Sequence, residues 1–283
     1  MEQSTGTLYL CATPIGNLED VTLRVLRVLQ EADSVWAEDT RHTLGLLNHY
    51  NIKKPLVSCH EHNERERASE LVQELRQGKN IAFCSDAGMP GISDPGAMLL
   101  AACAKEGLPV TVLPGASAVP TAAVLSGLYA EPFMFYGFLP REKKPRAAIL
   151  EKIKEQEGLV LLYESPVRLP ATLKDLLAVL GDRPAAVLRE LTKVHEEAAR
   201  GTLSTLCARF AEPPRGECVI AIQGAERKKE EGVSDAALDG AITRLLREGF
   251  SVRDASAAAA AILQAPKKLI YARALQLSRE EEE

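Results

Sequence analysis

The stretch IAFC-SDAGMPGISDPG, Ile81–Gly96, opens as a four-residue apolar run and then breaks into a loop rich in Gly, Pro, Asp and Ser. A short, wholly apolar run bounded by turn residues reads as a strand covered on both faces, the pattern of a parallel sheet. In such sheets ligands bind beyond the carboxyl ends of the strands. Ser85–Gly96 is therefore expected to be a ligand-binding loop on a parallel α/β sheet, suited to a small nucleotide-like cofactor.

The same rhythm extends to either side. Further candidate strands are Leu8–Ala12, Ser34–Ala37, Leu56–Ser58 and Val110–Leu113. Helix-like stretches separate them, including Leu23–Glu31, with Leu23, Leu26, Val28 and Leu29 as its apolar positions, and Arg65–Gln77, closed by Gly78. A second α/β unit starts near Phe133, with strands expected at Phe133–Phe138, Leu159–Tyr163, Ala185–Leu191 and Cys218–Gln223 and a basic helix start at Arg141–Arg146. AERKKEEG, Ala225–Gly232, has nothing to bury and reads as a linker. Beyond it the pattern is helical, with an alanine run at Ala257–Ala261, a last stretch at Lys267–Leu277 and a frayed end at Ser278–Glu283. The expected division is an α/β domain over 1–130, a second over 131–224, a linker over 225–233 and a helical tail over 234–283.

Composition narrows the class. With 46% hydrophobic and 26% charged residues the chain is an ordinary folded protein, and no apolar run approaches the ~20 residues that cross a bilayer. Met1-Glu-Gln-Ser-Thr5 has no basic start or apolar core of a secretory signal, so the expected compartment is the cytoplasm. The six cysteines form no C-x-x-C pair and read as buried thiols. A net charge of −5 gives no global attraction to nucleic acid.

Three strand-to-helix connections share an unusual composition: Thr13-Pro-Ile-Gly-Asn17, the Ser85–Gly96 loop and Pro114-Gly-Ala-Ser-Ala118. Glycine admits close backbone approach, and a helix start offers free N–H donors, so three such loops on one edge make a pocket. No G-x-G-x-x-G follows the first strand and no P-loop is present. Ser117 in GASAV lacks the second glycine of a nucleophile elbow. His60-Glu-His62 lacks a third ligand nearby, and no metal site is expected. Acidic residues stand at strand ends, namely Glu38, Asp39, Asp86 and Glu164, where a carboxylate can accept from ribose hydroxyls or an amino group. Capping the next helix is an equal alternative for Asp39.

Eight ordered blocks, TPIGNLEDVTLR (Thr13–Arg24), AEDTRHT (Ala37–Thr43), HEHNE (His60–Glu64), SDAGMPGISDPG, LPGASAV (Leu113–Val119), GFLPR (Gly137–Arg141), ESPVRL (Glu164–Leu169) and RELTKVHEE (Arg189–Glu197), resemble the ribosomal RNA small-subunit methyltransferase I branch of the tetrapyrrole-methylase superfamily. The match runs from Leu8 to about Gly224. Met89 stands where Thr is common, Gly91 where Leu is frequent, and Ala116 where Pro is frequent, all within loops used through their backbone. The tail, Ser251–Leu277, resembles the family's helical extension only in pattern.

The resemblance implies a two-domain class III methyltransferase α/β fold with a C-terminal helical extension, S-adenosylmethionine in the cleft, and a homodimer. It implies 2′-O-methylation of a cytidine ribose in the decoding region of 16S rRNA, with the small ribosomal subunit as partner. By matching position, Pro14, Asp86, Ala87, Gly88, Pro90 and Ile92 would line the cofactor. Ser117 and Ala118 would meet its adenosine or methionine part, and Tyr163 and Glu164 would close the pocket. A sugar hydroxyl is a weak nucleophile, so a base or cationic neighbour is expected, with Glu38, Asp39, Asp86, Glu190, Lys193 and His195 as candidates. Arg41, Arg141, Lys143, Lys144 and Arg146 are candidates for RNA phosphates. Three rivals remain: a small-molecule methylase of the same superfamily acting on a tetrapyrrole or diphthine precursor, a ribosome-binding protein without activity, and a class I Rossmann methyltransferase with Glu38-Asp39 as its ribose-binding acid.

Overall fold

The computed structural model describes residues 5–225, 235–263 and 267–280. The chain divides into two compact units, 1–225 and 226–283.

The first unit opens on five strands: β1 (Leu8–Cys11), β2 (Ser34–Ala37), β3 (Leu56–Ser58), β4 (Ile81–Cys84) and β5 (Val110–Leu113). They form one parallel sheet in the order β3-β2-β4-β1-β5. This differs from the 3-2-1-4-5 order of a Rossmann sheet and removes the class I reading. Period-two alternation sorts side chains by size. Leu8, Leu10, Trp36, Ile81 and Phe83 face helices α3 (Glu64–Arg76) and α4 (Ala97–Lys105). Cys11, Val35, Ala82 and Cys84 face α1 (Leu23–Glu31) and α2 (Thr40–His49). Five of the six thiols are buried, and Cys207 is half-buried.

The second sheet comprises β6 (Phe133–Phe138), β7 (Leu159–Glu164), β8 (Pro184–Arg189), β9 (Glu197–Thr202) and β10 (Cys218–Gln223), in the order β6-β7-β10-β8-β9. Only β6 and β7 are parallel, and the remaining pairs are antiparallel. The expected second α/β unit is thus present, with strand directions that the sequence reading did not assign. The strand β9, EAARGT, was not anticipated, because its composition has little β propensity; it is an edge strand held by β8 alone. The strand expected to reach Leu191 stops at Arg189, where Glu190 and Thr192 take positive φ values of 49° and 64°.

Helices α6 (Lys143–Glu155), α7 (Leu169–Leu180) and α8 (Leu203–Arg209) cover one face of this sheet. The other face is covered by α5 (Ala118–Ser126), whose Val119, Ala122 and Ala123 pack on Leu159, Leu161, Leu188 and Val219. A helix that follows a strand of the first sheet thus completes the core of the second. Arg200 of β9 donates to the carbonyls of Ser126, at 3.0 Å, and Leu125, fastening the end of α5.

In the second unit α9 (Asp235–Arg247), α10 (Val252–Leu263) and α11 (Lys267–Glu280) surround Leu238, Ile242, Ala259, Ile270 and Ala274. Arg273 grips Asp239 with two bonds of 2.7 and 2.6 Å. The last helix runs to Glu280, three residues past the expected Leu277. Of the expected linker, Ala225 pairs with Glu157 in a β-bridge and the rest lies outside the described residues, as do 281–283. Among the described residues, no helix is long and apolar enough to cross a membrane, and no group of three or more His, Cys, Asp or Glu is placed to hold a metal.

Candidate active site

Because β4, β1 and β5 are neighbours, the three glycine- and proline-rich loops leave the sheet side by side. Thr13 and Gly88 stitch the first two together through reciprocal backbone bonds of 2.9 and 3.0 Å. On the far side of β4, β2 delivers Glu38. The Asp86 N–H donates to the Glu38 carboxylate at 3.2 Å, and the Asp39 N–H donates to the Asp86 carboxylate at 3.0 Å. These strand ends enclose a cavity of about 400 Å3, closed from the second sheet by Phe138, Tyr163 and Val219.

Glu64, in HEHNE, explains the shape of the main loop. Its carboxylate is 5% exposed and accepts from the backbone N–H groups of Gly96, Met98 and Leu99 at 2.8, 2.9 and 3.3 Å. An acceptor from another helix therefore caps α4, where Gly96 has no side chain to do so.

Of the residues singled out in the sequence, Glu38, Asp86, Ala87, Gly88, Ile92, Ser117, Ala118, Tyr163 and Glu164 line the cavity. Pro14 does not; it lines a second cavity of about 440 Å3 that includes Arg41 and His42 and shares Asp86 with the first. Pro90 is buried against Gly96, below the loop surface. Asp39 is the N-cap of α2, and its bonds from the Arg41 side chain hold its carboxyl at about 2, so it is an anchored cap.

The RELTKVHEE candidates stand away from the cavity wall. Lys193 Nζ bonds Glu190 and Glu217 at 2.9 Å each, Glu190 also accepts from the Glu217 N–H at 3.0 Å, and His195 is exposed. Lys193 holds the Glu190 carboxyl below its ordinary range, which suits an ion-paired brace better than a base. Arg141, Lys143 and Lys144 are exposed, whereas Arg146 is turned inward, 13% exposed, on Asp175 at 2.8 Å and Thr172 at 2.9 Å. Its placement removes it from the phosphate-binding candidates.

The Glu164 carboxylate also points inward. Fully buried, it accepts from Thr172 Oγ1 at 2.6 Å and the Ser165 N–H at 2.8 Å, with Arg168 Nε at 3.3 Å. Sequence reading missed Asp94, Phe138 and Glu217, which also line the cavity. The repeated Ser-Asp of Ser85-Asp86 and Ser93-Asp94 was a usable signal for Asp94; Glu217 had none beyond preceding a strand.

The wall has a marked charge bias. Glu38, Asp86, Asp94, Glu164 and Glu217 line it, and among the described residues no Lys, Arg or His does. Glu164 and Glu217 have cationic partners, while Glu38, Asp86 and Asp94 have none within 4 Å among the described residues. Burial pushes the Asp94 carboxyl up to about 7, aided by Glu38 and Asp86. Burial also raises Glu38, and raises Tyr163 to about 12 with help from Asp94 and Glu217. The lining also includes Ser117 and Ala118 at the start of α5; Ser117, the N-cap, makes no side-chain cap bond, so the N–H groups of Ala118 and Val119 have no side-chain acceptor from it and could meet an anion. The arrangement suits a small ligand bearing both a cation and a carboxylate.

Residues 7–207 match the family described as Tetrapyrrole (Corrin/Porphyrin) Methylases, and residues 232–278 match the RsmI C-terminal HTH domain. Ribosomal RNA small subunit methyltransferase I of Synechocystis sp. is 44% identical over 96% of this chain and 98% of its own length. The chain belongs to this methyltransferase family. The protein of the same name from Halalkalibacterium halodurans is 46% identical over 94% of this chain and 93% of its own length. Among solved structures, the cobalamin biosynthetic enzyme cobalt precorrin-4 methyltransferase superposes with a TM-score of 0.60 at 19% identity, covering 77% of this chain and 94% of its own. That likeness concerns the fold alone. The acidic cavity of this methyltransferase thus lies at the strand ends of a tetrapyrrole-methylase fold.

Proposed function

We propose that this methyltransferase uses S-adenosylmethionine to methylate the ribose 2′-oxygen of a cytidine in the decoding region of 16S rRNA. The observation that carries the donor reading is the cavity itself, lined both by the carboxylate residues Glu38, Asp86 and Asp94 and by the start of helix α5. S-adenosylmethionine supplies an activated methyl group on a sulfonium cation. Glu38, Asp86 and Asp94 would face its positive charge, Ser117 and Ala118 its carboxylate, and Ile15, Ile92 and Val219 its apolar parts. Alignment of the acceptor and exclusion of water are the remaining tasks, and Tyr163 and Phe138 supply an aromatic cover.

The names of the relatives support ribosomal RNA as acceptor, with the small subunit as partner in the cytoplasm. Exposed Arg141, Lys143 and Lys144 provide phosphate contacts. The exposed apolar side chains of Val112 on edge strand β5 and of Met98 and Leu100 on α4 support a homodimer. Incubation with labelled S-adenosylmethionine and unmodified small subunits, followed by nucleoside digestion, is expected to yield labelled 2′-O-methylcytidine. Label appearing instead in a tetrapyrrole or diphthine precursor, or in no acceptor despite donor binding, would replace this reading.

A further inference from the structure

We propose that Asp94, acting with Glu38 and Asp86, is a specificity-determining residue that makes the cavity prefer the cationic sulfonium donor over the neutral thioether left after transfer. The inference rests on the donor reading above and adds a function for the carboxylates within it.

Donor and thioether share the adenosine and the amino-acid end, so contacts with those parts cannot tell them apart. What differs is a methyl group and one positive charge. A wall made only of apolar and neutral groups would hold the two about equally, and product would compete with donor. Here Glu38, Asp86 and Asp94, with no cation within 4 Å among the described residues, line one partly enclosed cavity, where charge interactions are screened less than at a surface; the Arg41 guanidinium, bound to Asp39, acts on Asp86 from farther off. The other charged groups nearby are already committed: Glu164 to Arg168 and Thr172, and Glu217 to Lys193. Tyr163 is neutral below its pKa of about 12.

Ser93, next to Asp94, adopts a φ of 64°, and β6 packs close to this turn, since a Cβ on Gly137 would lie 3.3 Å from Ser93 Oγ. The carboxyl faces a cavity wall shared with Glu38, Asp86 and Tyr163. Burial first, and crowding by Glu38 and Asp86 second, make Asp94 reluctant to ionise when nothing cationic is present, with its midpoint at about 7. A sulfonium relieves that crowding, and a thioether does not. Loss of the cation on transfer therefore weakens the hold on the product and favours its exit.

Calorimetric titration of S-adenosylmethionine and of S-adenosylhomocysteine, on the unmutated protein from pH 5.5 to 8 and on Asp94→Asn and Glu38→Gln, tests this. The ratio of the two affinities cancels the ionisation of their common amino group. In the unmutated protein it is expected to favour the donor and to rise about tenfold across that range as Asp94 ionises. Asp94→Asn is expected to lower the ratio about tenfold at pH 8 and to flatten its pH dependence; Glu38→Gln is expected to lower it less. A ratio that is the same at both pH limits and in both variants overturns the proposal while leaving the donor site intact. Failure of S-adenosylmethionine to bind the unmutated protein overturns the donor reading itself. The pH series needs no variant to fold.

Discussion

Gly16 and Lys193 touch where the first sheet's loop meets the second sheet's: a Cβ on Gly16 would lie 2.4 Å from Lys193 Cγ and 2.7 Å from the carbonyl oxygen of Leu191. A lysine stem can shift, but the Leu191 carbonyl is backbone. Gly16→Ala is therefore expected to pry this joint open, costing about 1–3 kcal/mol by the usual penalty of overpacking, and to weaken S-adenosylmethionine binding. Denaturant unfolding and calorimetry check both effects. An unchanged midpoint would show that the joint has slack.

Glu64 ties HEHNE to the start of α4. Glu64→Ala leaves the Gly96, Met98 and Leu99 N–H groups without their shared acceptor and is expected to cost about 2–3 kcal/mol. The loosened Ser85–Gly96 loop should become a site of limited proteolysis. Protection equal to that of the unmutated protein would count against this capping role.

Arg146 and its basic neighbours should separate cleanly in experiment. Arg146→Ala breaks the chain Asp175, Arg146, Thr172, Glu164 and is expected to lower stability by about 1–3 kcal/mol with little change in RNA affinity. Lys143→Ala and Lys144→Ala should leave stability alone and each reduce the slope of log affinity against log salt by about one. Filter binding over a salt series distinguishes the two behaviours.

Asp94 gives a pH signature in the ligand-free protein. Its folded pKa, about 7, lies above the ordinary 3.8, so ionisation is easier in the unfolded chain. The associated stability is fully present below about pH 4 and is lost as pH rises through 7. Asp94→Asn, which cannot ionise, is expected to be more stable than the parent by about 1 kcal/mol at pH 8 after allowance for solvent screening, and no more stable at pH 4. Thermal unfolding at the two pH values measures the difference; a gain of equal size at both would sink the linkage argument.

The sequence by itself determined the parts governed by local periodicity and turn chemistry. Strands Ser34–Ala37, Leu56–Ser58, Ile81–Cys84 and Val110–Leu113 were legible because a buried parallel strand is a short apolar run between turn residues. The three ligand loops were legible because Gly and Pro mark unusual backbone wherever they fall. Their placement on three adjacent strands, the reversal of strand directions in the second sheet and the edge strand Glu197–Thr202 depend on which distant segment offers a hydrogen-bonding partner, and local pattern does not carry that.

Tertiary structure alone decided what each charged residue does. Glu64, Glu164 and Arg146 look in the chain like solvated or catalytic charges, yet the first two are buried and the third largely so, each bonded to at least one partner 8 to 35 positions away. Asp94 is the converse case, a turn residue by sequence that burial beside Glu38 and Asp86 converts into part of an acidic wall. A side chain's charge is written in the sequence, but its desolvation and its neighbours exist only after folding, and these set its chemistry.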